Sequence, residues 1–362
     1  MKDESSISAK NGVICSIPKD RMGYFGWPSV ARMDDGTLMV ASSGLRTEHV
    51  CPWGKTILLT SQDDGQSWSE PEILNDTPLD DRDAGIVNLG GNRFLVSWFT
   101  SDTRRYYSGN KESLSEEENR RWEEKLSEWN DELVNEWLGS WVRLRENGEN
   151  WSEPIKVPVS APHGPIVLGS GDILYLGKVT SGGMVPGAIQ AYSSNDGGRN
   201  WCALGVVPIP DDTDNANYHE PHVVELPDGK LIGHIRYEHA DESRTYDELC
   251  TFQSESTDGG VTWSEARYLR YGSPPHLLKH SSGALVCVFG FRRQPYGERA
   301  MISTDGGGTW GPDIILRDDG PSGDLGYPAS IELPGGRIFT IYYQQRQKGE
   351  KCSLMWTSWE LP

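Results

Sequence analysis

An octapeptide of pattern S-x-D-x-G-x-x-W recurs along the chain. It reads Ser61-Gln62-Asp63-Asp64-Gly65-Gln66-Ser67-Trp68 at first occurrence and returns at residues 194–201, 256–263 and 303–310. A worn fifth copy spans Leu144 to Trp151. Each piece has a physical task. Asp before Gly makes a tight turn, with glycine supplying the positive φ. The Ser and Asp side chains bond backbone amides inside that turn, and Trp gives it an apolar anchor. Four clean copies in one chain signal a repeat architecture before they signal any chemistry.

A second repeat is interleaved with the first. Short polar turns flanked by apolar runs occur at Asp34-Asp35-Gly36, Gly90-Gly91-Asn92, Gly169-Ser170-Gly171, Asp228-Gly229-Lys230, Ser281-Ser282-Gly283 and Gly335-Gly336-Arg337. Each reads as a β-hairpin. Six hairpins, the first five each followed by an Asp-Gly turn, imply six four-stranded units. The expected fold is therefore all-β, a six-bladed β-propeller occupying residues 1–362 as a single domain. The sixth unit lacks its last strand, because the chain ends soon after Leu354-Met355-Trp356. Val13-Ile14-Cys15-Ser16-Ile17 is expected to complete it and close the ring.

One interval is too long. Residues 101–140 form an insertion in blade II, with Trp122, Leu126, Trp129, Leu133 and Trp137 along one face of an expected amphipathic helix. Ser113-Leu114-Ser115-Glu116 offers a capping box and Gly139 an end. That stripe packs on the propeller, or serves as a lid or a homo-oligomer contact.

A formal charge of −19 argues against nucleic acid or an anionic membrane as partner. No stretch approaches the length of a membrane span. The opening residues carry no apolar leader, so a cytoplasmic location is the simplest expectation. Six scattered cysteines show no metal-ligand or disulfide pattern. No cofactor or metal is called for.

The repeats also orient the disc. Hairpins and Asp-Gly turns share one side, so function is sought on the other, at the residue eight or nine positions before each hairpin glycine. These positions hold Trp27, Arg82 with Asp83, His163, Glu220, Pro274-Pro275-His276 and Tyr327. Loops between second and third strands add Arg46 with His49, Arg236, and the stretch from Arg292-Arg293 to Arg299. Equivalent structural positions would repeat similar apolar residues. These are diverse and polar, as a binding site requires. His222 joins His49, His163 and His276 as a further pocket histidine, and Trp27 either stacks on a sugar or fills the funnel.

The segment Glu220-Pro221-His222-Val223-Val224-Glu225-Leu226-Pro227-Asp228-Gly229, ending at Arg236, resembles a segment of the sialidase (neuraminidase) superfamily, as does Tyr327-Pro328-Ala329-Ser330-Ile331-Glu332-Leu333. With the Asp-box turns, this resemblance covers essentially the whole chain. It implies Tyr327 as nucleophile, Glu220 as the base that activates it, and Arg236 as a ligand for a substrate carboxylate. A tyrosine of pKa about 10 needs such a base at neutral pH. Two departures stand out. The arginine usual in the first blade is replaced within Phe25-Gly26-Trp27-Pro28, which removes about 1.5–3 kcal/mol of charge-assisted binding. The family's acid/base aspartate falls near Pro52. Asp83, His49 and His163 are the candidate acids, and Arg46, Arg293 or Arg299 the supporting arginines.

The resemblance implies an exo-glycoside hydrolase that removes a terminal acidic sugar from an oligosaccharide or glycoconjugate. Two alternatives remain: a polysaccharide lyase acting on a uronate, and a carbohydrate-binding propeller without catalysis.

Overall fold

The computed structural model describes residues 7, 9–146, 148, 150–180, 183–240 and 246–362. Within them the chain forms six antiparallel sheets arranged as the blades of a propeller. The inner strands of blades I, II, IV, V and VI are Tyr24–Arg32, Asp80–Gly90, Tyr218–Glu225, Pro275–Lys279 and Leu325–Leu333. In blade III this strand is split into Val159–Ser160 and Ile166–Val167, both paired with Ile173–Val179. Ring closure follows the sequence expectation with a shifted boundary. The N-terminal strand is Lys10–Cys15 rather than residues 13–17, and Val13 pairs with Met355.

The Asp-Gly turns join third to fourth strands as their spacing requires. Ser61 Oγ accepts from Gly65 N at 2.9 Å and donates to Asp63 Oδ1 at 2.8 Å, and Asp63 accepts from Ser67 N. Trp68 Nε1 donates to Gly65 O while its ring stacks on Phe339 of the adjoining blade VI. The same pattern recurs at Asp196 and Asp258; at Asp305 the Trp310 indole instead donates to Gln253. In the worn copy, Asn147 and Glu149 lie outside the described residues.

The insertion corrects the expectation of one continuous helix. It forms α1 (Arg104–Asn110), a short 3₁₀ turn, α2 (Glu116–Leu126) and α3 (Asp131–Trp137), between the second and third strands of blade II. The break has a local cause: the Asn130 side chain accepts from Leu133 N and caps a new helix. Ser115, not Ser113, caps α2. The last helix ends at Trp137 with Leu138 as its cap, and Gly139 directly beyond it opens the next strand. Trp122 and Trp129 of the stripe are buried on the propeller, the first among Cys51, Trp53 and Tyr107, the second against Leu79. No helix among the described residues is long and apolar enough to cross a membrane.

Because Trp122 is fully buried, Trp122→Ala is expected to cost roughly 3–5 kcal/mol and to open the loop that covers Cys51. Thermal denaturation together with site-resolved thiol labelling checks this: Cys51 should be unreactive in the parent protein and reactive in the variant.

Candidate active site

Four inner strands carry the same backbone anomaly at the same height. Trp27, Asp83, Glu220 and Tyr327 adopt φ of 55°, 48°, 50° and 52°. Strand register slips at each of them, so each is a bulge in an otherwise regular ladder. A bulky residue in the left-handed region costs about 1–3 kcal/mol and persists only where the surroundings enforce it. Here three of the four are followed by proline. Blade III uses Gly164 at φ 75° for this bend, and blade V has a cis Ser273–Pro274 bond.

Two of the bulges meet. Tyr327 Oη donates to Glu220 Oε1 at 2.5 Å. Arg236, on the second strand of blade IV, donates from one nitrogen to both Glu220 Oε2 at 2.7 Å and Tyr327 Oη at 3.0 Å. Its other terminal nitrogen is held by Glu238. Burial would raise the Glu220 pKa, but the Arg236 charge and the hydrogen bonds from Tyr327 and Arg236 outweigh it and hold the carboxyl below its usual range. Burial, reinforced by the Glu220 charge, keeps the Tyr327 phenol well above its usual range. The pair is therefore carboxylate and phenol, joined by a short charge-assisted bond.

Asp83 faces the same space. Burial pushes its carboxyl up to about 7, with the neighbouring Glu220 charge adding to the rise and Arg82 opposing it. Its Oδ1 is buried without a partner among the described residues. A carboxyl poised this way is protonated over much of the range in which Glu220 is ionised.

Arg292 lies over the Tyr327 ring, 5.8 Å from its centroid, and donates through Nε to Leu325 O at 3.1 Å. Its Nη2 has no partner among the described residues. Gly326 beside it takes a φ of 113°, a conformation that L side chains rarely adopt. Arg292 was passed over in favour of its neighbour: Arg293 points outward to Asp247 and Glu248 and stacks on Tyr271.

Other expectations are corrected. Arg46 is fully buried in a two-pronged pair with Asp80, at 2.6 and 2.9 Å, and does not reach the funnel. Gly54 is required beside it, because any Cβ would strike the guanidinium. Arg299 is 3 % exposed, bonds the carbonyl of Arg317 and sits over Phe291, on the third strand of blade V. Trp27, at the position of the missing arginine, is 1 % exposed and offers no face to a sugar. Its ring is flanked instead by the guanidinium carbons of Arg46 and Arg82, at 5.0 and 4.4 Å.

His163, His222 and His276 gather in the channel on the axis, with ring centroids 4.1–5.6 Å apart. His222 and His276 accept backbone amides from Leu277 and Ser330 on Nδ1, so those rings are neutral in this geometry. Burial lowers the pKa of all three, that of His222 to about 3. Withdrawn in this way, they are not acids for a substrate. Among the described residues no three His, Cys, Asp or Glu side chains are arranged to hold a metal ion. His49 remains at the mouth, edge-on to Trp27, its Nδ1 3.0 Å from both Asp324 and the Tyr24 hydroxyl. Asp324 and Tyr343, which bonds it at 3.2 Å, were not foreseen from the sequence.

The sequence profile of the BNR repeat-like domain matches residues 113–340, well over half of the chain. The chain belongs to the BNR repeat-like domain family. Among curated proteins the sequence finds no significant match. Solved structures share the fold of this BNR-repeat propeller across nearly its full length. One is a protein of unknown function from Dyadobacter fermentans (20% identity, 98% of this chain and 99% of that one, TM-score 0.75). Another is the NanB sialidase of Streptococcus pneumoniae (14%, 97% and 70%, TM-score 0.67). A third is the α-L-arabinanase of Penicillium chrysogenum complexed with arabinobiose (15%, 96% and 98%, TM-score 0.61). The BNR-repeat chain thus shares its propeller fold with proteins that include a sialidase and an arabinanase.

Two consequences can be measured. Arg46→Ala leaves the buried Asp80 with only Arg82, 3.7 Å away, as counter-ion, and is expected to destabilise the fold by roughly 3 kcal/mol in denaturant titrations. The axial histidines have folded pKa values below the ordinary value of 6.5, so the unfolded chain takes up protons that the fold refuses. The contribution of His222 is complete above 6.5 and is lost as pH falls toward about 3, and those of His163 and His276 are lost in the same direction. A His222→Gln variant should lose less melting temperature between pH 7 and 4.5 than the parent; an equal or larger loss contradicts this.

Proposed function

We propose that the protein is a glycoside hydrolase of sialidase type, removing a terminal acidic sugar through a covalent tyrosyl intermediate. The observation that carries this reading is the Tyr327–Glu220 hydrogen bond of 2.5 Å, bridged by Arg236 and set between two left-handed bulges that face each other. A phenol whose pKa is raised cannot attack as a free phenolate at neutral pH. It attacks as its proton passes to Glu220, already ionised at the other end of the bond. Tyrosine nucleophiles are a known departure from the two-carboxylate scheme of glycosidases.

Asp83 acts as the acid. Protonated up to about pH 7, it gives its proton to the glycosidic oxygen as the bond breaks, and afterwards takes one from the water that releases the sugar. Arg292, whose Nη2 has no partner among the described residues, and Arg236 hold the anionic group of the substrate. With Trp27 in place of a third arginine, the clamp is weaker than the superfamily pattern implies, which favours an acidic sugar other than the usual one or a lower affinity for it.

Tyr327→Phe and Glu220→Gln should fold as the parent does and lose at least a thousandfold in turnover, about 4 kcal/mol in barrier; full activity in either overturns the mechanism. The pH profile should fall on the basic side near 7, as Asp83 loses its proton. Asp83→Asn should remove that limb when a leaving group that needs no proton is used. An unsaturated, ultraviolet-absorbing product would instead identify a uronate lyase. Tight glycan binding with no product would identify a binding protein.

A further inference from the structure

A cleft of about 240 Å³ opens beside the catalytic pair, lined among others by Asp83, Glu220, Phe99, Ser160, Lys178 and His219. It begins where the nucleophile side of the site ends: Asp83 and Glu220 border it, whereas Tyr327, Arg236 and Arg292 do not. An acid that protonates the glycosidic oxygen stands between the sugar being released and the group that departs. The space beyond Asp83 is therefore where the departing group lies, and its volume suits one sugar ring.

His219 is the residue before the Glu220 bulge, the place taken by Arg82 in blade II, Gly26 in blade I and Gly326 in blade VI. Its Nδ1 lies 3.2 Å from the Lys178 ammonium. That ammonium has no lone pair, so it donates, and the imidazole proton must sit on Nε2. Lys178 is itself fixed by the carbonyls of Tyr218, Ala216 and Asn215 at 2.7, 3.1 and 3.3 Å. No hydrogen bond to His219 Nε2 is made among the described residues.

We propose that this cleft receives the leaving-group sugar of the substrate, and that Lys178 positions His219 as a fixed Nε2–H donor to an uncharged oxygen of that sugar. This rests on the reading of Asp83 as the acid. The groups facing His219 are Lys178, Glu220, Arg236 and Glu238. Burial first, then the Lys178 charge, lowers its pKa to about 4. The donor therefore stays neutral and single-tautomered across the range where Glu220 and Asp83 work. A neutral donor at Nε2 discriminates by geometry rather than by its own charge.

Imidazole nitrogen NMR on the full-length chain tests this without turnover. The parent His219 should show a neutral Nε2–H ring from pH 5 to 8. In Lys178→Met the ring should titrate nearer 6.5, and Lys178→Arg should restore the parent pattern. Methyl glycosides of neutral hexopyranoses should shift the His219 Nε2 signal, and His219→Ala should weaken their binding about five- to tenfold, the worth of one hydrogen bond. A His219 that carries its proton on Nδ1 in the parent, or titrates there near 6.5, overturns the positioning role. Glycosides that leave His219 unshifted, or fail to bind at all, overturn the assignment of the cleft. None of these readouts needs Tyr327, so failure of the tyrosyl mechanism shows separately, as retained turnover in Tyr327→Phe.

Discussion

The site depends on a backbone constraint more than on any single side chain. Regular inner strands would send alternate side chains into the two inter-blade layers and leave the axis lined by backbone. A left-handed bulge in four blades re-aims Trp27, Asp83, Glu220 and Tyr327, and brings Tyr327 onto Glu220 with Asp83 beside them. Each bulge stores strain of about 1–3 kcal/mol, which the surrounding ladders and the following residue, proline in three cases, hold in place. Strain of this kind at functional positions allows a rigid frame to present groups of different chemistry from equivalent positions.

Electrostatics then divides the labour. Two carboxyls, Glu220 and Asp83, sit near each other in a site that cannot readily hold two negative charges. Arg236 secures the charge on Glu220, and Asp83 accepts the proton that burial demands. On the blade I side the cations serve a different purpose. Arg46 is neutralised by Asp80, and the Trp27 ring, at the position of the missing arginine, lies beside the Arg46 and Arg82 guanidinium groups. Positive charge that could grip an anion is concentrated on blades IV and V, at Arg236 and Arg292.

Much of the frame was legible in the sequence because turn chemistry is local. Ser61, Asp63, Gly65 and Trp68 bond among themselves, so their spacing alone announces the turn, and counting turns yields the blades. Glu220 and Tyr327 were legible for a related reason, since ring positions lie at a fixed distance from the hairpins. What failed was direction. Arg46 and Arg299 occupy plausible loops and strands, but whether a long side chain points to the axis or into a blade depends on a partner distant in sequence, such as Asp80. Arg292 and Arg293 differ by one residue, and the loop between the second and third strands of blade V sends them to different partners. The insertion showed an unbroken apolar stripe, yet one capping residue, Asn130, divided it. His219 had a signal that went unread: it precedes a ring position just as Arg82 does.

The direct test of the account is to trap the sugar on the protein. A fluorinated acidic glycosyl fluoride, reactive enough to load the nucleophile and slow to leave it, should add one sugar to the chain, and peptide mass spectrometry should place it on Tyr327. The same reagent should leave Tyr327→Phe unmodified. A sugar attached to another residue, or one retained in full by Tyr327→Phe, would contradict the central claim that Tyr327, activated by Glu220, is the nucleophile.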